Sequence, residues 1–157
     1  MSQEPLQFQA SDAWLLLAVI IAAGDDVATL DEIVGAGDFI NHAIFTNDEI
    51  ESGFYRLTCG GYIEEVDGDF RPSEIALKQY KTISGKRRAV LDQMDSLREF
   101  LAAKPWVFGV PFPRPENRYT YPGLTKEKIA EAVEKYHKRA MAILEGLDKK
   151  RRKKRSY

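Results

Sequence analysis

The sequence holds a single cysteine, Cys59, and two histidines, His42 and His137. One thiol excludes an internal disulfide framework and a cysteine-built zinc site, and two imidazoles exclude a multi-histidine metal centre. Long apolar runs are missing as well. The longest, Trp14 to Ala23, has Asp12 before it and Asp25-Asp26 after it. It is too short to cross a bilayer, and no basic stretch precedes it as in a secretory leader. No phosphate-cradling glycine loop or nucleophile elbow occurs. The acid pairs Asp25-Asp26, Asp31-Glu32 and Glu64-Glu65 are chain neighbours, and neighbours on a helix or strand do not converge on one point. The expectation is a cytoplasmic protein that is not an enzyme, with no cofactor, no metal and no membrane contact.

What is present is an ordinary globular composition with an unusual charge distribution. Of 157 residues, 44% are hydrophobic and 30% charged, enough apolar material for one folded body. The net charge of -1 conceals two opposite halves. Residues 1–83 carry 15 acids and four bases (Arg56, Arg71, Lys78, Lys81), a net of -11, whereas residues 84–157 carry 9 acids and 19 bases, a net of +10. Such a split points to two surfaces with different partners, or to two surfaces that meet.

Local signals predict a mainly helical chain. A first helix runs from about Ser11, as N-cap, to Ala23, and is apolar almost all round, so it is buried on most sides. Thr29-Leu30-Asp31-Glu32 is a capping box that opens a second helix, which Gly35 and Gly37 interrupt; Phe39, Ile40, Ile44 and Phe45 then suggest a separate short helix. Thr46-Asn47-Asp48-Glu49 repeats the box and opens a third helix with Ile50, Phe54 and Leu57 on its buried face, ended by Gly60-Gly61. Tyr62 to Val66 and Phe70 to Pro72 flank an Asp67-Gly68-Asp69 turn, a hairpin signal, and Ser73 caps a fourth helix carrying Ile75, Leu77 and Tyr80.

The segments Phe54-Tyr55-Arg56-Leu57, Gly61-Tyr62-Ile63-Glu64-Glu65 and Gly68-Asp69-Phe70-Arg71-Pro72-Ser73-Glu74 resemble MarR-like and PadR-like regulators. They look like the end of a recognition helix, the lead-in to the wing and its exit. The resemblance covers about residues 11–83 and implies a winged helix-turn-helix domain, placed at 8–83, with a two-stranded β-hairpin wing. It also implies DNA binding, with the third helix in the major groove. The outward positions Asn47, Ser52, Tyr55 and Arg56, with Arg71 on the wing, are then the candidate contacts. Against this stands the acidity of residues 1–83, where Asp48 and Glu51 would face phosphates. For Arg71 the competing expectation is a cross-strand pair with Glu64 or Glu65.

Residues 84–148 read as a two-helix extension. Lys86-Arg87-Arg88, a further candidate phosphate contact, opens a fifth helix with Val90, Met94, Leu97 and Leu101 on one face. Residues 105–123 form a connector with five prolines and five aromatics. Thr125 caps a sixth helix of about 22 residues, whose seam of Ile129, Val133, Tyr136, Ala140, Ile143 and Leu147 alternates at spacings of 4 and 3. That seam suits a homodimer interface, or an intramolecular hairpin with the fifth helix. Residues 149–157 form a basic tail in which Lys149, Lys150, Arg151, Arg152, Lys153, Lys154 and Arg155 are consecutive; like charges so dense predict a solvated, disordered segment that neutralises phosphates without reading sequence. Cys59 reads as a small buried filler, His42 as structural and His137 as solvated.

Two functions from different classes follow. The first is a small winged-helix DNA-associated protein, a dimeric transcriptional regulator. The second is a protein-protein interaction module that keeps the fold and offers its acidic surface to a basic protein partner.

Overall fold

The computed structural model describes residues 5–6, 8–84, 89–103, 106–107 and 124–155. Six helices and two short antiparallel pairs of strands follow in the order β1 (Pro5–Leu6), α1 (Ala10–Ala23), α2 (Leu30–Asn41), α3 (Asn47–Cys59), β2 (Ile63–Val66), β3 (Asp69–Pro72), α4 (Glu74–Ser84), α5 (Val90–Ala103), β4 (Trp106–Val107) and α6 (Lys126–Arg155). The chain is therefore mainly helical, with an antiparallel hairpin of β2 and β3 and helices on either side of it.

Helix α1 is the axis of the core. Ala13, Leu15, Leu16, Leu17, Ala18 and Val19 are wholly buried, each large apolar side chain contributing about 1.5–3 kcal/mol by leaving water. Around α1 pack α2, α3, α5 and β3. The expected N-cap is displaced: Ser11 lies within the helix and Gln9 precedes it, its backbone N–H donating to Asp12 Oδ2 at 2.8 Å. The cause is Asp12, whose buried carboxylate holds the first turn and fixes where the helix begins.

The glycines of α2 do not interrupt it, and no separate short helix covers Phe39 to Phe45. Instead α2 runs unbroken to Asn41, His42 closes it in a left-handed conformation, and Phe45 turns into the core. Gly37 makes this packing possible, because a Cβ there would overlap the Phe45 ring. That ring stacks on Trp14 with centroids 3.8 Å apart, and Trp14 Nε1 donates to the Gly37 carbonyl at 2.9 Å. The missing side chain thus admits an aromatic pair across α1 and α2.

Both predicted capping boxes form, at Thr29/Glu32 and Thr46/Glu49. Ile50, Phe54 and Leu57 of α3 are fully buried as the spacing required. In the hairpin Ile63 pairs with Pro72, Glu64 with Arg71, Glu65 with Phe70 and Val66 with Asp69. Asp67 and Gly68 have φ of 51° and 89°, the pair of left-handed residues that a tight hairpin turn needs. Phe70 also exchanges both backbone hydrogen bonds with Ala28 ahead of α2, so the return strand is tied to the body on its other edge. Ser73 caps α4 through the Ala76 N–H, but Ile75 faces solvent and Ala76 and Ile83 supply the buried contacts instead.

In α5, Leu97 and Leu101 are buried, and Phe100 meets Tyr62 edge-on at 5.7 Å. The Lys86-Arg87-Arg88 cluster and, apart from Trp106 and Val107, the connector 105–123 lie outside the described residues. Those two residues pair as β4 with β1, a contact for which the sequence carries no local signal. Thr125 caps α6 as expected, its hydroxyl accepting from the Lys128 N–H at 3.2 Å. The helix does not stop near Leu147, however, but continues to Arg155. Lysine and arginine are good helix formers, and cations suit the negative end of a helix, so the basic run extends the helix it was expected to follow. Among the described residues no helix is long and apolar enough to cross a membrane.

Candidate functional site

The third helix is where base-reading side chains were expected, and its geometry turns most of them to structural use. Arg56 faces α1. Its Nε and one terminal nitrogen donate to the two oxygens of Asp12 at 2.6 and 2.8 Å, a bidentate pair. The Asp12 side chain is fully buried and Arg56 is only 14% exposed. A buried carboxylate is costly unless paired and hydrogen-bonded, and here the Gln9 N–H and the guanidinium satisfy it together. Gly53, one turn before Arg56, lets α3 approach α1 closely: a Cβ there would stand 2.5 Å from a Leu15 methyl. The expectation of Arg56 as an outward contact is therefore corrected, because the charge of Asp12, which the helix pattern hides in its first turn, draws it inward.

Ser52 is likewise buried rather than outward, with its hydroxyl 3.4 Å from Asp48 Oδ1. Position 52 lies beside Gly53 on the flank turned to the body, and a side chain so short does not reach past it. Tyr55 and Asn47 are half-buried. Asn47 lines a groove of about 380 Å³ together with Ile44 and with Ala130, Val133, Glu134 and His137 of α6. The start of α3 thus lies against another helix of the same chain. Its remaining polar side is acidic, with Asp48 exposed and Glu49 and Glu51 partly so.

On the hairpin, Arg71 Nε donates to Glu64 Oε2 at 3.1 Å, the cross-strand pair that the register sets opposite. Both side chains are about half exposed (49% and 48%), so the pair adds little stability. At the hairpin base, a cleft of about 450 Å³ is lined by Asp25, Asp26, Glu64, Arg71, Glu74 and Lys81, among others, four acids to two bases.

Helix α6 packs on α2 and α3. The first half of its seam is consumed within the chain. Ile129 is fully buried and Val133 and Tyr136 pack against the core, so these three are removed from the expected dimer interface. The reason is a polar clamp on α2. Tyr136 Oη donates to Asp38 Oδ2 at 2.5 Å, and Arg139 donates to Asp31 Oδ2 at 2.9 Å, with Lys135 Nζ 3.8 Å from the other oxygen. Burial alone would raise the Asp31 pKa, but the Thr29 hydroxyl and the two cations outweigh it and hold the carboxyl below its ordinary value. Burial and the Asp38 carboxylate push the Tyr136 phenol up to about 12.

Beyond Ala140 the same helix is exposed at every position to Lys150. Ile143 and Leu147 of the expected seam lie here, 60% and 49% exposed, with Met141 and Leu144 beside them. Cys59 is buried, which pushes its thiol up to about 11 and away from reactivity. No group of three or more potential metal ligands is brought together among the described residues. Comparison with protein-family models, with curated proteins and with solved structures returned no match for this chain.

Proposed function

We propose that the chain is a protein-interaction module on a winged helix-turn-helix scaffold, whose acidic third helix receives a lysine- and arginine-rich segment of a protein partner. The observation that carries this reading is the Arg56–Asp12 pair: the one basic side chain of α3 is spent on a buried carboxylate. What α3 offers outward is Asp48, with Glu49 and Glu51 partly exposed. Beside a line of phosphates these carboxylates repel, whereas beside lysine and arginine they attract and steer. The winged-helix assignment itself is supported by the order of α1, α2, α3, hairpin and α4, and by the anchoring of Phe70 to Ala28.

Fluorescence anisotropy with a labelled lysine/arginine-rich peptide tests the reading. The chain binds it at low salt, and Asp48→Lys with Glu51→Lys weakens binding at least about tenfold while the far-UV spectrum is unchanged. Equal affinity for the reversed variant would remove α3 as the docking face.

A second reading keeps DNA as the partner, with contact through the end of α6. The seven consecutive bases 149–155 lie on a stretch whose backbone is helical. Such a run holds phosphates with an affinity that falls steeply with salt and carries no sequence preference. In this reading Asn47, Tyr55 and Arg71 contribute little, and the body remains a scaffold.

A further inference from the structure

The short connection from α2 to α3 leaves one aliphatic side chain outside the core. His42 ends α2 in a left-handed conformation and Phe45 turns inward, so Ile44 between them stays 38% exposed. Opposite it runs α6. Ala130, Val133, Glu134 and His137 lie at i, i+3, i+4 and i+7, one flank of that helix, beside the face whose Ile129 and Tyr136 pack on the body. These four residues, with Ile44 and Asn47, line the groove of about 380 Å³ at the start of α3. Ile44, Ala130 and Val133 make its floor apolar, while Asn47 and His137 give its edge both donors and acceptors. The two walls differ in charge. On the α6 wall, Glu134 is engaged by Lys138 at 3.1 Å. The α3 wall is acidic: Glu51 stands one turn after Asn47 on the same side, with Asp48 beside them, and the base of that helix, Arg56, lies on Asp12.

We propose that this groove holds an aliphatic or aromatic side chain of the basic segment that docks on α3, an anchor flanking its lysines and arginines. The inference rests on the docking role of α3 proposed above and deepens it. Charge sets the arrangement. The segment's bases lie over Asp48 and Glu51, and a residue on their flank reaches Ile44 and Val133, because groove and acids adjoin at Asn47. Asn47 and His137 at the edge suit the peptide groups on either side of the anchor. The apolar floor offers nothing to a phosphate, so the feature fits a peptide and not a duplex. It also supplies what the acids lack. Exposed ion pairs hold weakly and loosen with salt, whereas an apolar side chain leaving water adds affinity that salt does not screen.

Fluorescence anisotropy of the full chain with three labelled peptides tests the inference. All carry the same lysine/arginine run; one has serine at both flanks, and the others carry leucine on one flank or the other. At least one leucine peptide is expected to bind about fivefold tighter than the serine peptide, the scale of a partly buried leucine, and to keep that advantage as salt rises. Ala130→Trp fills the groove from an exposed position, and Ile44→Ser removes its aliphatic wall. Each abolishes the advantage, with an unchanged far-UV spectrum, while binding of the serine peptide changes by less than about twofold. Equal affinity of the wild type for the three peptides, or an advantage that persists in both variants, would overturn the anchor and leave α3 as the docking face. Failure of all three peptides to bind at low salt would instead remove α3 as the docking face, and the anchor with it.

Discussion

The guanidinium of Arg56 in α3 lies on the carboxylate of Asp12 in α1, with both donor–acceptor distances under 3 Å and the acid wholly buried. This contact joins the two helices 44 residues apart in sequence and sets the start of α1 at the same time. Breaking such a pair from one side leaves an uncompensated charge in the interior. Arg56→Ala is therefore expected to destabilise the fold by about 3–5 kcal/mol. Urea unfolding of the variant against wild type measures this, and a loss below about 1 kcal/mol would place the pair with ordinary surface ion pairs.

Gly37 sets two effects against each other. Alanine is the better helix former by about 1 kcal/mol, but its methyl would overlap the Phe45 ring that stacks on Trp14. Overpacking costs about 1–3 kcal/mol, so Gly37→Ala is expected to lower stability and to disturb the near-UV signal of Trp14. Gly146→Ala on α6, where nothing lies within 4 Å, serves as the control and carries no such cost. A stabilised Gly37→Ala protein would show that the ring has room to move.

The clamp between α6 and α2 has an alkaline signature. The Tyr136 phenol is held to about 12 in the fold, against about 10 in an unfolded chain. Between those values the unfolded chain has released the proton and the folded one has not, so stability falls as pH rises through this window. Tyr136→Phe lacks that loss. The stability difference between wild type and Tyr136→Phe, measured by urea unfolding at pH 8, 10 and 11, is expected to shrink as pH rises. A constant difference would mean that the hydroxyl of Tyr136 is not held by Asp38 in solution.

Much of the helical layout was legible because its signals are local. Thr29, Thr46, Ser73 and Thr125 mark helix starts through their own hydroxyls, and Asp67-Gly68 writes its turn into two residues. The burial of Ile50, Phe54 and Leu57 follows from spacing alone. What escaped was every feature decided by a partner far along the chain. Arg56 reads as an outward cation until Asp12 is placed beside it, and Ser52 reads as available until α3 is seen pressed onto α1 at Gly53. Gly35 and Gly37 read as interruptions until Tyr136 and Phe45 fill the space they leave. The seam of α6 was visible as one stripe, but not its division at Ala140 into a half that packs on α2 and a half that faces solvent. The one clue to Arg56 was Asp12 itself, a charge on the edge of a run otherwise too apolar to face water.

An acidic α3 repels a duplex rather than reading it, and a titration separates the two. A labelled random-sequence duplex is titrated with the full chain and with a chain ending at Leu147, across a series of salt concentrations. The chain ending at Leu147 is expected to leave the duplex unbound even at low salt, because Arg56 is paired with Asp12, Ser52 is buried and α3 is acidic. The full chain is expected to bind only at low salt, through its run of bases, without sequence preference. Binding of the shortened chain at moderate salt would place a DNA surface in the body and remove α3 as an acidic docking face.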